Sequence, residues 1–160
     1  MAKLSHVDDA GRARMVDVGN KAETERRAVA SGRIQMRPET LELITSGGVA
    51  KGDVLGVART AGIMAAKHTG DLIPLCHPIR ITSLAIDFTP DPPSSAISIQ
   101  ATVKAHDRTG VEMEALVAVS VAALTIYDMC KSYDRAMRID TIQLVEKSGG
   151  RSGHYRAPGL

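Results

Sequence analysis

Residues 109–132 read TGVEMEALVAVSVAALTIYDMCKS, and this stretch decides the fold class. Thr109, followed three residues later by Glu112, matches a capping box and predicts the first turn of a helix. From there to about Ser132 the pattern predicts a helix of about 24 residues and about 36 Å. Its middle, 115–127, contains only two polar residues. A helix that is apolar nearly all round is buried, so we expect this one to contribute to a subunit interface.

Strand patterns flank this helix on both sides. Residues 79–88 and 96–105 alternate apolar and polar side chains and are separated by a proline-rich loop at 90–95. They predict an antiparallel pair. Residues 137–145 predict a final strand, followed by a glycine-rich loop at 147–153.

The N-terminal half predicts strands and two helices. Residues 13–18 have a strand tendency, residues 19–27 form a charged stretch, and residues 28–36 predict a short strand. A helix is predicted at 39–44, after Pro38, and should stop at Gly47-Gly48. A second helix is predicted at 52–67. The second helix has a face of small residues and should pack tightly. The charged stretch has two interpretations: a solvated loop, or a flap that brings Lys21, Arg26 or Arg27 to an anion.

This order of elements predicts an α+β fold, with an antiparallel sheet and helices packed on one face. A ferredoxin-like arrangement is the expected topology. We expect residues 1–160 to form one domain, with 1–12 and 154–160 flexible.

Composition excludes several classes of function. The chain has 160 residues, a formal charge of +2 and only one Phe and three Tyr. Few aromatics and balanced charge argue against nucleic-acid binding. The N-terminus lacks a signal-peptide pattern, and 115–127 is shorter than the ~20 residues of a membrane span. Cys76 and Cys130 read as free thiols. We therefore expect a cytoplasmic protein without membrane association.

Three charged residues lie at predicted helix ends. Asp128 is in the last turns of the long helix, where the negative end of the dipole and apolar surroundings should raise its pKa. Lys131 follows on nearly the same face, and Lys51 directly precedes the helix at 52–67. The positive end of the helix dipole should lower the pKa of Lys51. An acid whose pKa is raised, combined with a base whose pKa is lowered, suits general acid–base chemistry. A structural ion pair and an exposed loop lysine are the open alternatives.

Other residues have the character of ligand-binding groups. Glu114 lies near a helix start without a capping role, and its carboxylate can accept N–H donors from a heterocycle. His77 follows Cys76 between two prolines that stiffen the backbone. A structural histidine is the alternative, and adjacent Cys and His chelate one metal poorly, so no metal is expected. The loop from Lys147 to Arg151 is basic and glycine-rich but lacks P-loop spacing.

Long motifs in order link these residues to a known family. The sequence resembles the cyclic pyranopterin monophosphate synthase family of molybdenum-cofactor biosynthesis. The matching stretches are Met15-Val16-Asp17-Val18, Lys51-Gly52-Asp53-Val54, Ala61-Gly62-Ile63, Asp71-Leu72-Ile73-Pro74-Leu75-Cys76-His77-Pro78, Thr109-Gly110-Val111-Glu112-Met113-Glu114-Ala115-Leu116, Ala122-Ala123-Leu124-Thr125-Ile126-Tyr127-Asp128-Met129-Cys130-Lys131 and Lys147-Ser148-Gly149-Gly150.

The resemblance implies a lyase that converts 3′,8-cyclo-7,8-dihydroguanosine 5′-triphosphate into cyclic pyranopterin monophosphate and releases diphosphate, without a cofactor. It implies a ferredoxin-like homohexamer, a trimer of dimers with active sites at subunit interfaces. The implied catalytic residues are Asp128, Lys51 and Lys131. The implied substrate-binding residues are Leu75, Cys76, His77, Glu112, Met113 and Glu114 at the ring, and Arg26, Lys67 and Lys147 at the phosphates. The alternatives are a non-catalytic oligomeric scaffold or pterin-binding module, and a plain GTPase.

Overall fold

A βαββαβ unit organises the chain, which a computed structural model describes over residues 6–159. The helices and strands are β1 Thr24–Gln35, α1 Pro38–Thr45, α2 Val54–Lys67, α3 Thr69–Leu72, β2 Ile81–Asp91, β3 Ala96–Asp107, α4 Glu112–Cys130, β4 Arg138–Ser148 and β5 Tyr155–Arg156. The sheet has the order β2-β3-β1-β4-β5, and its neighbouring strands are antiparallel. This is the ferredoxin-like arrangement, so the predicted fold class is confirmed.

Strand β1 lies at the centre of the sheet, and helix α4 packs across it. Its register with β3 is continuous from Thr24↔Asp107 to Gln35↔Ala96. At Gly32 an added Cβ would lie 2.5 Å from Cγ1 of Val119 on α4. A side chain at this position would push the helix off the sheet. The missing side chain therefore sets how closely α4 approaches β1.

Helices α2 and α4 pack closely along a seam of small residues. An added Cβ on Gly62 would lie 2.8 Å from the carbonyl oxygen of Ala118 and 2.5 Å from Cδ1 of Ile86. Ala118 and Ala122 are fully buried beside it. The predicted tight packing of the second helix is confirmed. Because Lys51, just before α2, reaches Asp128 near the end of α4, the two helices run antiparallel.

The start of α4 differs from the prediction. The helix begins at Glu112, its N-cap is Val111, and no side chain caps it. The predicted capping box is wrong because Glu112 occupies the first helical position rather than the third. Its carboxylate instead lies 3.8 Å from Nζ of Lys147.

Helix α4 is buried on one side rather than all round. Within the chain it packs against α2 and the sheet, while Leu124 remains 57% exposed. Its length and apolar composition would suffice for a membrane span, but 56% of that window is buried inside the fold. These contacts are those of a core helix in a folded domain.

Several segments extend beyond their predicted bounds or change type. The charged residues 24–27 belong to β1, because β3 continues to Asp107 and provides their backbone partners. Residues 71–72, predicted to be extended, end the short helix α3. Residues 90–91 of the predicted loop complete β2, and β4 continues through Ser148. Residues 13–18 form no strand; the structure pairs only Ala13, in an isolated bridge to Val7.

The two chain ends have different outcomes. Tyr155 and Arg156, in the tail predicted to be flexible, pair with Lys147 and Glu146 of β4. This pairing and the burial of Ala157 fix that part of the tail on the sheet. The flexibility predicted for 1–5 and for residue 160 concerns positions outside the described residues.

Replacing Gly62 with Ala should lower the free energy of unfolding by about 1–3 kcal/mol, because the methyl group overpacks the seam between α2 and α4. The better helix propensity of Ala opposes this loss only in part. Urea unfolding measures the difference. Gly70→Ala is the matched control, since its added Cβ meets Pro78 and Cys76 atoms only at 3.5–3.8 Å. Equal stabilities for the two variants would contradict the close packing.

Candidate active site

One cluster joins the three residues predicted to be catalytic. Nζ of Lys131 donates to Oδ1 of Asp128 at 2.6 Å. Nζ of Lys51 donates to the backbone carbonyl of Asp128 at 3.0 Å and lies 4.0 Å from its Oδ2. The cluster therefore forms within one chain, at the C-terminal end of α4.

The turn before α2 positions Lys51. The amide of Gly52 donates to the carbonyl of Val49 at 2.9 Å, and Gly52 has a φ of +100°, which favours glycine. Asp53 then caps α2 by accepting the amide of Gly56 at 2.9 Å. Lys51 therefore lies outside α2, and Gly52 and the capping residue Asp53 separate it from the first helical residue. The sequence had predicted that Lys51 directly precedes the helix.

Asp128 has the opposite titration behaviour from the prediction. Its side chain is 62% exposed rather than surrounded by apolar groups. The hydrogen bond from Lys131, the charge of Lys131 and then the charge of Lys51 hold its pKa below the ordinary value. The predicted rise is wrong because two ammonium groups outweigh the helix dipole at an exposed position. Asp128 is therefore an ionised carboxylate at neutral pH.

A second cluster lies at the other end of α4. The thiol of Cys76 donates to Oε1 of Glu114 at 3.8 Å. Glu114 is 2% exposed, and its Oε2 has no hydrogen-bond partner among the described residues. Burial, with the charge of Glu112 adding to it, raises the pKa of Glu114 to about 7. Burial and then Glu114 raise the pKa of Cys76 to about 11. A buried carboxyl with a free oxygen is ready to bind a polar ligand.

The remaining predicted ring-binding residues flank this pair. Leu75 and His77 adjoin Cys76 and are half-buried, as is Met113 in the first turn of α4. Within residues 6–159 no group of three or more His, Cys, Asp or Glu side chains is arranged to hold a metal ion.

A cationic cavity of about 560 Å³ opens beside the start of α4. Its lining includes the charged residues Lys21, Arg26, Arg27, Arg108, Glu112, Lys147 and Arg151. Arg26 is 9% exposed, and its guanidinium donates to the carbonyls of Asp107 and Arg108 at 3.1 Å each. Arg27 pairs with Glu146 at 2.9 Å, and Arg108 lies 3.7 Å from Glu23. The six cations of the lining still outnumber these carboxylates and Glu112, so the cavity is suited to a polyanion.

Glycines let the loop after β4 close the cavity. Gly149 and Gly150 have φ values of +100° and +73°. A side chain on Gly150 would run into the guanidinium of Arg26. This loop therefore depends on glycine for both its conformation and its contact with Arg26.

The three residues predicted to bind the phosphates line two different cavities. Arg26 and Lys147 line the same cavity, whereas Lys67, at the end of α2, lines a separate cavity of about 390 Å³ between α2 and β2. Sequence reasoning missed Arg108. Its position directly before the family-like motif that starts at Thr109 was the only available signal, and a single arginine is not distinctive.

The two clusters do not meet within the chain. Fourteen positions separate Glu114 from Asp128 on one helix, which corresponds to about 21 Å. Hydrogen-bond contact requires about 3 Å, so one chain cannot bring both clusters to the same small ring.

This arrangement defines a class of protein: an α+β domain that binds a phosphorylated small molecule and carries groups suited to proton transfer. The MoaC family model matches residues 15–150, and the chain belongs to the MoaC family.

Curated relatives match nearly the whole chain. A protein of Chloroflexus aggregans is 63% identical over 154 residues, covering 96% of this chain and 93% of its own. Proteins of Thermomicrobium roseum and Pelotomaculum thermopropionicum are 60% and 58% identical, covering 98% and 99% of this chain and 94% of their own. All three are named cyclic pyranopterin monophosphate synthase.

The buried carboxyl of Glu114 should make stability depend on pH. Folding raises its pKa from 4.5 to about 7, so its stabilising contribution is complete below pH 4.5 and is lost as pH rises through 7. The stability of Glu114→Gln minus that of wild type should therefore increase by about 2–3 kcal/mol between pH 5 and pH 8. Urea unfolding at both values measures this difference. Exposed Glu39→Gln is the control, and parallel curves for Glu114→Gln and wild type would refute the buried ionisation.

Proposed function

We propose that this protein is a cyclic pyranopterin monophosphate synthase. It is a lyase of molybdenum-cofactor biosynthesis that converts 3′,8-cyclo-7,8-dihydroguanosine 5′-triphosphate to cyclic pyranopterin monophosphate and releases diphosphate by general acid–base catalysis. Identity of 58–63% over nearly the full length to relatives of that name carries the proposal.

Lys51 and Lys131 exchange protons with the substrate, and Asp128 orients them. The reaction opens the purine ring and closes a pterin ring, so several protons must move. An ionised carboxylate that holds two amines within 4.0 Å keeps both close to one reacting centre. Positioned donors and acceptors of this kind contribute typically 10²–10⁴-fold to a rate.

The ring binds at the opposite end of α4. Glu114 offers a buried carboxyl whose Oε2 is unpaired among the described residues, and Cys76 bonds its other oxygen. A guanine-derived heterocycle carries the N–H donors that such a carboxyl accepts. Leu75, His77 and Met113 border the ring, and Glu112 lies beside it.

Basic residues hold the triphosphate. Arg26 and Lys147 line the cationic cavity. Lys67, which lines the separate cavity between α2 and β2, is proposed as a further phosphate-binding residue on the family resemblance. Preorganised cations stabilise the charge that develops on diphosphate as it leaves the α-phosphate. Arg108 adds a fourth basic group to this set.

The complete site combines two chains. About 21 Å of helix separates Asp128 in the acid–base cluster from Glu114 at the ring, so we infer that a second copy supplies one of the two clusters. We propose a homohexamer, built as a trimer of dimers, with the site at the dimer interface. Exposed Leu124 offers apolar surface for such contacts. The enzyme acts in the cytoplasm, where its two free thiols stay reduced.

Asp128→Asn and Lys51→Ala should each reduce diphosphate release by at least about 100-fold with the cyclised substrate, because each removes a group that positions or moves a proton. A coupled diphosphate assay measures the rate. Exposed Asp87→Asn and Lys104→Ala are matched controls and should retain wild-type turnover. Near-normal turnover of both site variants, with folding intact, would overturn their assignment. Substrate binding without turnover by the wild type would favour a pterin-binding scaffold.

Two inactive variants should complement each other if the site spans two chains. The two variants Asp128→Asn and Lys147→Ala are refolded together in equal amounts. In a dimer that contains one chain of each, one of the two sites receives both defects and the other site receives neither. Random mixing should therefore restore about one quarter of wild-type activity. The separately refolded variants are the controls. A mixture no more active than its components would place the whole site in one chain.

A further inference from the structure

The turn that carries Lys51 is held by a residue outside the catalytic cluster. Val49 anchors its start in the core, with 4% exposure. The next amide, that of Ala50, donates to the phenol oxygen of Tyr133 at 3.2 Å. This contact joins the turn to the segment after α4, one residue before the catalytic lysine.

Tyr133 is itself fixed by its backbone. Its amide donates to the carbonyl of Cys130 at 2.8 Å, and its carbonyl accepts the guanidinium of Arg37. The neighbouring Asp134 is 3% exposed and accepts the amides of Arg37 at 2.8 Å and Ala136 at 3.0 Å. The phenol oxygen therefore projects from a rigid base, although the ring is 38% exposed.

We propose that Tyr133 is a positioning residue for Lys51. The end of α4 supplies Asp128 and Lys131, and Tyr133 ties the turn of Lys51 to that same end. With the amide of Ala50 held, the ammonium of Lys51 stays at 3.0 Å from the carbonyl of Asp128. The effect of Tyr133 on catalysis rests on the proposed function, whereas its contact with the turn of Lys51 does not.

Tyr133→Phe removes the acceptor and keeps the ring. Its kcat for diphosphate release should fall about three- to tenfold, the range of one neutral hydrogen bond, while KM stays within about twofold. A change in kcat alone is expected because the ring and phosphate groups lie at the other end of α4. Unchanged kcat, or a loss confined to KM, would overturn the proposal.

Tyr127→Phe is the matched control, because its hydroxyl also bonds a backbone group, the carbonyl of Arg135 at 3.1 Å, without touching the turn of Lys51. The two variants should lose similar stability in urea, but only Tyr133→Phe should lose kcat. An equal loss of kcat in both would reduce Tyr133 to a general structural role.

A second measurement is independent of turnover. Acetic anhydride labelling followed by mass spectrometry should modify Lys51 about three- to tenfold faster in Tyr133→Phe than in wild type. The ammonium then leaves its carbonyl acceptor more often and can lose its proton to solvent, and the free amine attacks the anhydride and displaces acetate. Exposed Lys104 provides the internal reference. Equal labelling of Lys51 overturns the proposal. If the wild type released no diphosphate, the proposed function would be refuted. The labelling of Lys51 would then still decide whether Tyr133 positions this lysine.

Discussion

The close contact between α2 and α4 is the constraint on which the site depends. Gly62 lets the two helices approach until a single methyl group would collide with the carbonyl of Ala118. Because the helices are antiparallel, this contact brings the turn before α2 to the end of α4. The meeting of Lys51 with Asp128 therefore results from backbone packing that occurs about three helical turns away along the seam.

Periodicity and turn chemistry were sufficient to predict the fold. The alternation at 96–105, the Pro-rich connection after β2 and the apolar run of α4 each predicted its element, and their order gave the ferredoxin-like sheet. The errors fell where tertiary pairing decides local structure. Residues 24–27 look like a solvated loop until β3 provides a partner, and Tyr155 joins the sheet only because β4 offers a free edge.

Part of the site could be predicted from the sequence, but the pKa shift of Asp128 could not. Asp128 and Lys131 are three residues apart on one helix, so their pairing could be foreseen. The titration of Asp128 depends on exposure and on Lys51, which the sequence places 77 residues away. The dipole argument alone predicted the wrong direction. Arg108 and Tyr133 belong to no recognisable motif. The structure identifies Arg108 by its place in the cavity lining and Tyr133 by its hydrogen bond with the amide of Ala50.

Helix α4 also limits how this protein can change over evolutionary time. One inserted residue would rotate everything after it by about 100° and shift it by about 1.5 Å. Asp128 would then leave the face that meets Lys51, while Glu114 kept its place. A substitution on α4 leaves this spacing unchanged, so the sequence of the helix can vary more readily than its length between Glu112 and Lys131.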